Sequence, residues 1–272
     1  MYINTWPIMA VLGVTIGLSP LATAGEVAIL TTPAGLRFGL EGAKPDKPAP
    51  TLLVLGSSIE ATLGNDVYNK IGRLAAEQGW ISVGIDLPCH GQEHHEGTPE
   101  GLSGWAARLQ QGQDFMAEHV ARCKALVDYL IEQGYADPER IAVAGTSRGG
   151  FSALHYAAAD PRVRCTVAFA PVADLTILRE FAGLDEHELT RSLDLSRQSA
   201  ALAERPLWIC IGNNDERVGT DSIISFSREV TAAAVRLQIP PDTELHVMTS
   251  RGHTIHPTAH DEAAAWLLRQ VP

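Results

Sequence analysis

One run of ten residues constrains this chain more than any other: Ile141-Ala142-Val143-Ala144-Gly145-Thr146-Ser147-Arg148-Gly149-Gly150. Its first half, small and β-branched, reads as a buried strand, and Phe151 to Ala159 reads as a helix. Only a Gly-Thr-Ser-Arg-Gly turn lies between them, so the chain must reverse sharply. Strand, tight turn and helix are the order a nucleophile elbow requires. Ser147 sits at the apex at a strained backbone angle, and a Cβ at 145 or 149 would crowd the crossing. The same helix aims its unpaired first N–H groups, and the positive end of its dipole, at the space in front of the serine. A Gly-x-Ser-x-Gly run is a common turn by composition alone. The flanking elements are what give this one meaning.

A serine hydroxyl is a poor nucleophile near neutral pH, so it needs a base within hydrogen-bond reach and an acid to orient that base. In open α/β sheets such groups collect on loops at the carboxyl ends of strands. The strand-like run Trp208-Ile209-Cys210-Ile211 delivers Asp215 to that edge, and a later one delivers His253. The expected catalytic residues are therefore Ser147, Asp215 and His253, in the chain order Ser, Asp, His. Glu216 and Asp221 are the alternatives to Asp215, and His256 the alternative to His253; His260 falls inside a helical pattern and reads as structural.

The rest of the chain supplies a scaffold for that edge. Glu26 to Leu40, broken at Pro33-Ala34-Gly35, reads as an antiparallel hairpin at a sheet edge. Thr51-Leu52-Leu53-Val54-Leu55 and Ile81 to Asp86 are near-continuous apolar strands of the kind covered on both faces. Further strands are expected at 163–170, 206–211 and 243–248, and helices at 68–78, 113–133, 223–237 and 258–269. Alternating strands and helices give an α/β fold with a mostly parallel sheet sandwiched by helices. The segment 171–205 breaks the rhythm; it is charged, helix-prone and reads as a small helical lid.

These motifs resemble the α/β-hydrolase superfamily, over nearly all of residues 26–269. The specific pieces are Gly145-Thr146-Ser147-Arg148-Gly149-Gly150, Gly212-Asn213-Asn214-Asp215 and Gly252-His253. Asp86-Leu87-Pro88-Cys89-His90-Gly91 is similar to that superfamily's Asp-x-Pro-Gly-His-Gly turn, with Cys89 where glycine is usual. Within the superfamily the chain looks closest to the dienelactone-hydrolase and prolyl-oligopeptidase-like branch, reduced to the catalytic domain. The resemblance implies an α/β-hydrolase fold and an oxyanion hole formed by the backbone N–H of Arg148 and one from the loop after Leu55. Ser57 is the expected second donor, although Leu55-Gly56 stands where many members have His-Gly. Ser58 and Arg148 are expected to meet substrate. The Arg148 side chain has two readings: substrate or oxyanion contact, as in the similar Ser-Arg pair of glucuronoyl esterases, or a structural ion pair behind the elbow, which is preferred. Cys89 as nucleophile is a further alternative, disfavoured because the elbow lies elsewhere.

The resulting expectation is ester hydrolysis through an acyl-enzyme, with no cofactor and a small-molecule ester as partner. A peptidase or amidase would use the same groups, and a non-catalytic binding protein is the alternative from another class. A formal net charge of −11 argues against nucleic acid, which needs clustered Lys and Arg. His90, His94 and His95 share a loop, but their spacing fits no helical metal pair, so no metal is expected. Residues 1–24 lack charged side chains, carry an apolar run at 8–18 and end in Ala22-Thr23-Ala24, a small-x-small pattern resembling a signal peptide. Export to the periplasm or the medium and a domain covering 25–272 follow as expectations, with no stable membrane insertion after processing; the alternatives are an uncleaved membrane-proximal anchor, or a misassigned start on a cytoplasmic protein. Cys89, Cys123, Cys165 and Cys210 lie in strand-like, helical and loop contexts and are expected as buried free thiols.

Overall fold

The computed structural model describes residues 25–272; the expected signal peptide lies outside the described residues. Eight strands form one sheet: β1 (Val27–Thr31), β2 (Arg37–Glu41), β3 (Ala49–Leu55), β4 (Ile81–Gly84), β5 (Ala136–Thr146), β6 (Val163–Phe169), β7 (Leu207–Gly212) and β8 (Thr243–Met248). Their spatial order is β1-β2-β4-β3-β5-β6-β7-β8. Every neighbouring pair from β4 to β8 is parallel, while β2 runs antiparallel to both β1 and β4. The hairpin expected at the edge is therefore the β1–β2 pair, with β1 outermost.

Nine helices are described: α1 (Ile59–Leu63), α2 (Asp66–Ala76), α3 (Gly101–Gln110), α4 (Phe115–Glu132), α5 (Arg148–Ala159), α6 (Glu188–Ser192), α7 (Ser199–Leu202), α8 (Thr220–Leu237) and α9 (Ala259–Gln270). The two-residue repeat of the central strands sorts their side chains into two cores. Leu53, Leu55, Ile141, Val143, Leu207 and Ile209 pack beneath α3, α4, α5, α7 and α8. Leu52, Val54, Ala142, Ala144, Trp208 and Cys210 pack beneath α1, α2 and α9. Burial on both faces explains why β3 and β7 read as unbroken apolar runs.

Helix α3 was not legible: two of its ten residues are glycine, and its N-cap Glu100 makes no capping bond. Tertiary packing overrides that weak propensity. Trp105 is fully buried against Phe115 and donates its indole N–H to the Pro88 carbonyl at 2.6 Å, and a Cβ on Gly104 would meet the Pro99 carbonyl.

The segment 171–205 is indeed a run of short helical turns between β6 and β7, including α6 and α7. It departs from a free-standing lid. Val172, Leu175, Leu178, Phe181, Leu195 and Leu202 are buried in the larger core, so most of the segment is a wall of the domain. Only Arg179 and Glu180 reach a cavity beside the elbow.

All four cysteines are buried and free, as expected. Burial pushes the Cys165 and Cys210 thiols up to about 12, leaving both as protonated packing groups.

Candidate active site

Ser147 has φ +54 and ψ −118, a conformation a non-glycine residue holds only when its surroundings impose it. Its N–H donates to the Phe169 carbonyl at 2.8 Å, and its carbonyl accepts from Phe151 N at 3.0 Å and Val172 N at 3.3 Å. Both flanking glycines are required by contact. A Cβ on Gly145 would stand 2.1 Å from the Gly149 carbonyl oxygen, and one on Gly149 would stand 2.1 Å from the Leu55 carbonyl oxygen.

The loops after β7 and β8 bring the two other expected side chains to this apex. His253 Nε2 is 3.0 Å from Ser147 Oγ, and His253 Nδ1 is 2.7 Å from Asp215 Oδ2. The network assigns the proton to Nδ1, donated to the carboxylate, leaving Nε2 free to accept the serine proton. Asp215 is 2% exposed. Its Oδ1 accepts from the backbone N–H groups of Arg217 at 3.0 Å and Val218 at 3.2 Å. Burial alone would raise this carboxyl; the His253 bond and the two amides outweigh it and hold the group below its ordinary value. Thr220 fixes the loop by accepting from Asp215 N at 3.1 Å and donating to the Gly212 carbonyl at 2.6 Å. Glu216 and Asp221 are exposed, and His256 bonds Thr258 Oγ1 at 3.0 Å. His260 is buried on α9 and stacks on Phe169 at 4.3 Å.

The expected oxyanion donors fare differently. The backbone N–H of Arg148 has no acceptor among the described residues and stands at the start of α5, beside Ser147. The N–H of Ser57 is already donated to Thr62 Oγ1 at 2.8 Å, because α1 folds Thr62 back over the loop; this corrects the expectation of a free donor there. Ser58 is also corrected: its hydroxyl caps α1, accepting from Ala61 N at 3.3 Å, and it lines neither cavity at the elbow. A residue that sequence reasoning passed over is Tyr68. Its ring packs where a Gly56 Cβ would go, and its hydroxyl has no partner among the described residues.

Two cavities meet at the elbow. The first, about 610 Å³, is lined by Ser147, His253, Tyr68, Val67, Ile255 and Arg148 among others. The second, about 460 Å³, is lined by Ser57, His90, Glu100, Arg148, Glu180 and Arg217 among others. Arg148 and Arg217 belong to both. The preferred sequence reading of Arg148, a structural ion pair, is corrected: it makes no ion pair among the described residues, and its Nε is buried without an acceptor. Arg217 is anchored by Glu180, whose two oxygens accept from its Nη2 at 2.9 and 2.8 Å.

The Asp86 turn is a brace for this edge. Asp86 accepts from Ile59 N at 2.7 Å, Gln92 N at 3.1 Å and Arg37 Nη1 at 3.1 Å. Cys89, standing where the resembling turn has glycine, has φ +60, in the region glycine prefers. His90 is buried with Nδ1 2.8 Å from the Pro88 carbonyl, and burial holds its imidazole down to about 4. His94 turns instead to the Thr98 carbonyl at 2.6 Å, so the histidines of this loop do not converge.

The sequence model of the prolyl oligopeptidase family matches residues 104–271. Esterase YjfP of Escherichia coli is 25% identical over 207 residues, which is 68% of this chain and 76% of that protein. Among solved structures, TT1662 from Thermus thermophilus superposes with TM-score 0.68 at 18% identity, covering 90% of this chain and 98% of that one. A puromycin-hydrolysing peptidase from Mycobacterium tuberculosis gives TM-score 0.64 at 14% identity, over 90% of this chain but only 39% of the peptidase. The sheet and its crossing elements are thus those of the α/β-hydrolase fold. Since the family match runs over more than half of its length, from α3 through the elbow to α9, this chain belongs to the prolyl oligopeptidase family.

Proposed function

We propose that the chain is a carboxylic-ester hydrolase working through an acyl-enzyme on Ser147. The observation that carries this reading is the unbroken relay of 3.0 Å from Ser147 Oγ to His253 and 2.7 Å from His253 to Asp215. Ser147 Oγ attacks the ester carbonyl carbon while His253 Nε2 takes its proton. His253 returns that proton to the departing alcohol as the ester C–O bond breaks. A water molecule then repeats the sequence on the acyl-enzyme, giving the free acid and restoring the serine. Asp215 holds the ring and favours its protonated form.

The negative charge on the tetrahedral intermediate is met by the Arg148 backbone N–H and the α5 N-terminus. We assign the second donor to the Tyr68 hydroxyl, which is otherwise unbonded and lines the cavity that holds Ser147. An ester is preferred over a peptide because the relative of comparable length is named an esterase, whereas the chain spans only 39% of the peptidase.

The test is direct. A fluorophosphonate probe labels Ser147, and Ser147→Ala abolishes hydrolysis of short p-nitrophenyl esters while the fold is retained; undiminished turnover in the variant rejects the assignment. Aminoacyl anilides in the same panel separate the ester reading from an exopeptidase.

A further inference from the structure

A guanidinium stays charged at every pH a folded protein survives, and withdrawing it from water without an acceptor is costly. Proteins therefore leave such a group unpaired only where something else completes it. Arg148 is half-buried, and its Nε is in that condition, shut off from water with no acceptor. Among the described residues it is the one arginine that is neither exposed nor bonded to a carboxylate or a carbonyl. Burial, with the like charge of Arg217 nearby, disfavours its charged form.

The carboxylates around it are committed elsewhere or too distant. Glu180 is held by Arg217 and also faces Arg179 at 3.4 Å, and exposed Glu100 makes no ion pair with Arg148. Three guanidinia and two carboxylates line the second cavity, so it carries one surplus positive charge in a chain whose net charge is −11. Arg148 stands on the partition between that cavity and the more apolar one containing Ser147 and His253. It also follows the nucleophile directly in sequence, so an anion bound there lies within a few bonds of the scissile carbonyl.

We propose that the Arg148 side chain reads a free carboxylate on the substrate, making the preferred substrate a hemi-ester of a short dicarboxylic acid. The carboxylate supplies the missing acceptor for Arg148, and the apolar alcohol part fills the cavity lined by Val67, Tyr68 and Ile255. This inference rests on the ester-hydrolase reading given above.

The experiment compares monobutyl succinate with butyl valerate, a neutral ester of similar length, by pH-stat. The wild-type protein favours the succinate, and Arg148→Gln lowers the ratio of the two kcat/KM values by about 10- to 100-fold, mostly through KM of the succinate. Arg148→Lys restores part of the ratio, since it keeps charge and loses the planar fork. Free succinate competes with valerate hydrolysis by the wild-type protein, less so at high salt, which needs no variant. A wild-type protein that turns over valerate with no preference for succinate overturns the proposal and leaves the ester-hydrolase reading standing. A ratio unchanged in Arg148→Gln overturns it too, and points to general support of the oxyanion. Failure to hydrolyse either ester, with Ser147 unlabelled by fluorophosphonate, overturns the hydrolase reading itself.

Discussion

Asp215 accepts three hydrogen bonds while almost wholly buried, and its task in the proposed mechanism is to fix which nitrogen of His253 carries a proton. Asp215→Asn keeps the side-chain shape and an acceptor for the two amides, yet turns a donor toward Nδ1 and so selects the wrong tautomer. Its kcat is expected to fall by roughly 10,000-fold with little loss of thermal stability; a fall below about tenfold would contradict the role. Tyr68→Phe removes one oxyanion donor and is expected to lower kcat by about 100- to 1,000-fold with KM nearly unchanged, and an unaltered kcat would exclude the phenol. At this scale the sequence was informative where a residue lies in the turn or loop that leaves the carboxyl end of a strand, as Ser147, Asp215 and His253 do. It misled at Ser57, whose amide is taken by a hydroxyl five positions later, because a one-turn helix such as α1 leaves no periodic trace. It was equally silent on the isolation of Arg148, since whether a cation finds a partner depends on residues distant in the chain.

The elbow is a contact between three elements: the end of β5, the start of α5 and the end of β3. Gly149 brings the helix so close that an added methyl group meets the Leu55 carbonyl, a backbone atom that cannot rotate away. Gly149→Ala is expected to cost about 1–3 kcal/mol or more, lowering the melting temperature by several degrees, and to depress activity by displacing the Ser147 hydroxyl and the Arg148 amide. A melting temperature and kcat both within error of wild type would mean the crossing is looser than described. The strand–helix alternation was readable because the central strands are apolar on both faces and α2 and α4 are each followed by a glycine in the left-handed region, Gly79 with φ +83 and Gly134 with φ +73. The helix α3 and the packing of 171–205 into the core were not. The first has two glycines and no capping bond, and the second mixes charged residues with apolar ones at no fixed period.

Across the whole molecule, several histidines are folded in as neutral groups. Burial holds His90, His155 and His260 down to about 4 and His119 to about 3, from an ordinary 6.5. Between 6.5 and about 4 the unfolded chain binds protons that the folded one refuses. Stability is therefore full above the unfolded value and falls as pH drops through that window, by up to about 1.4 kcal/mol per pH unit for each histidine. Urea midpoints should decline from about pH 7 to about pH 5, and less so in His119→Gln; a flat profile would contradict neutral burial. The sheet, its two cores and the braced turn at Asp86 exist, in functional terms, to hold one serine in front of one imidazole. The central claim is that this serine carries the acyl group during turnover. Acid-quenching the protein during p-nitrophenyl butyrate hydrolysis and mapping its peptides by mass spectrometry should find the butyryl group on Ser147 and none in Ser147→Ala. Turnover with the adduct on Cys89 or any other side chain, or undiminished turnover with no adduct on Ser147, would contradict it.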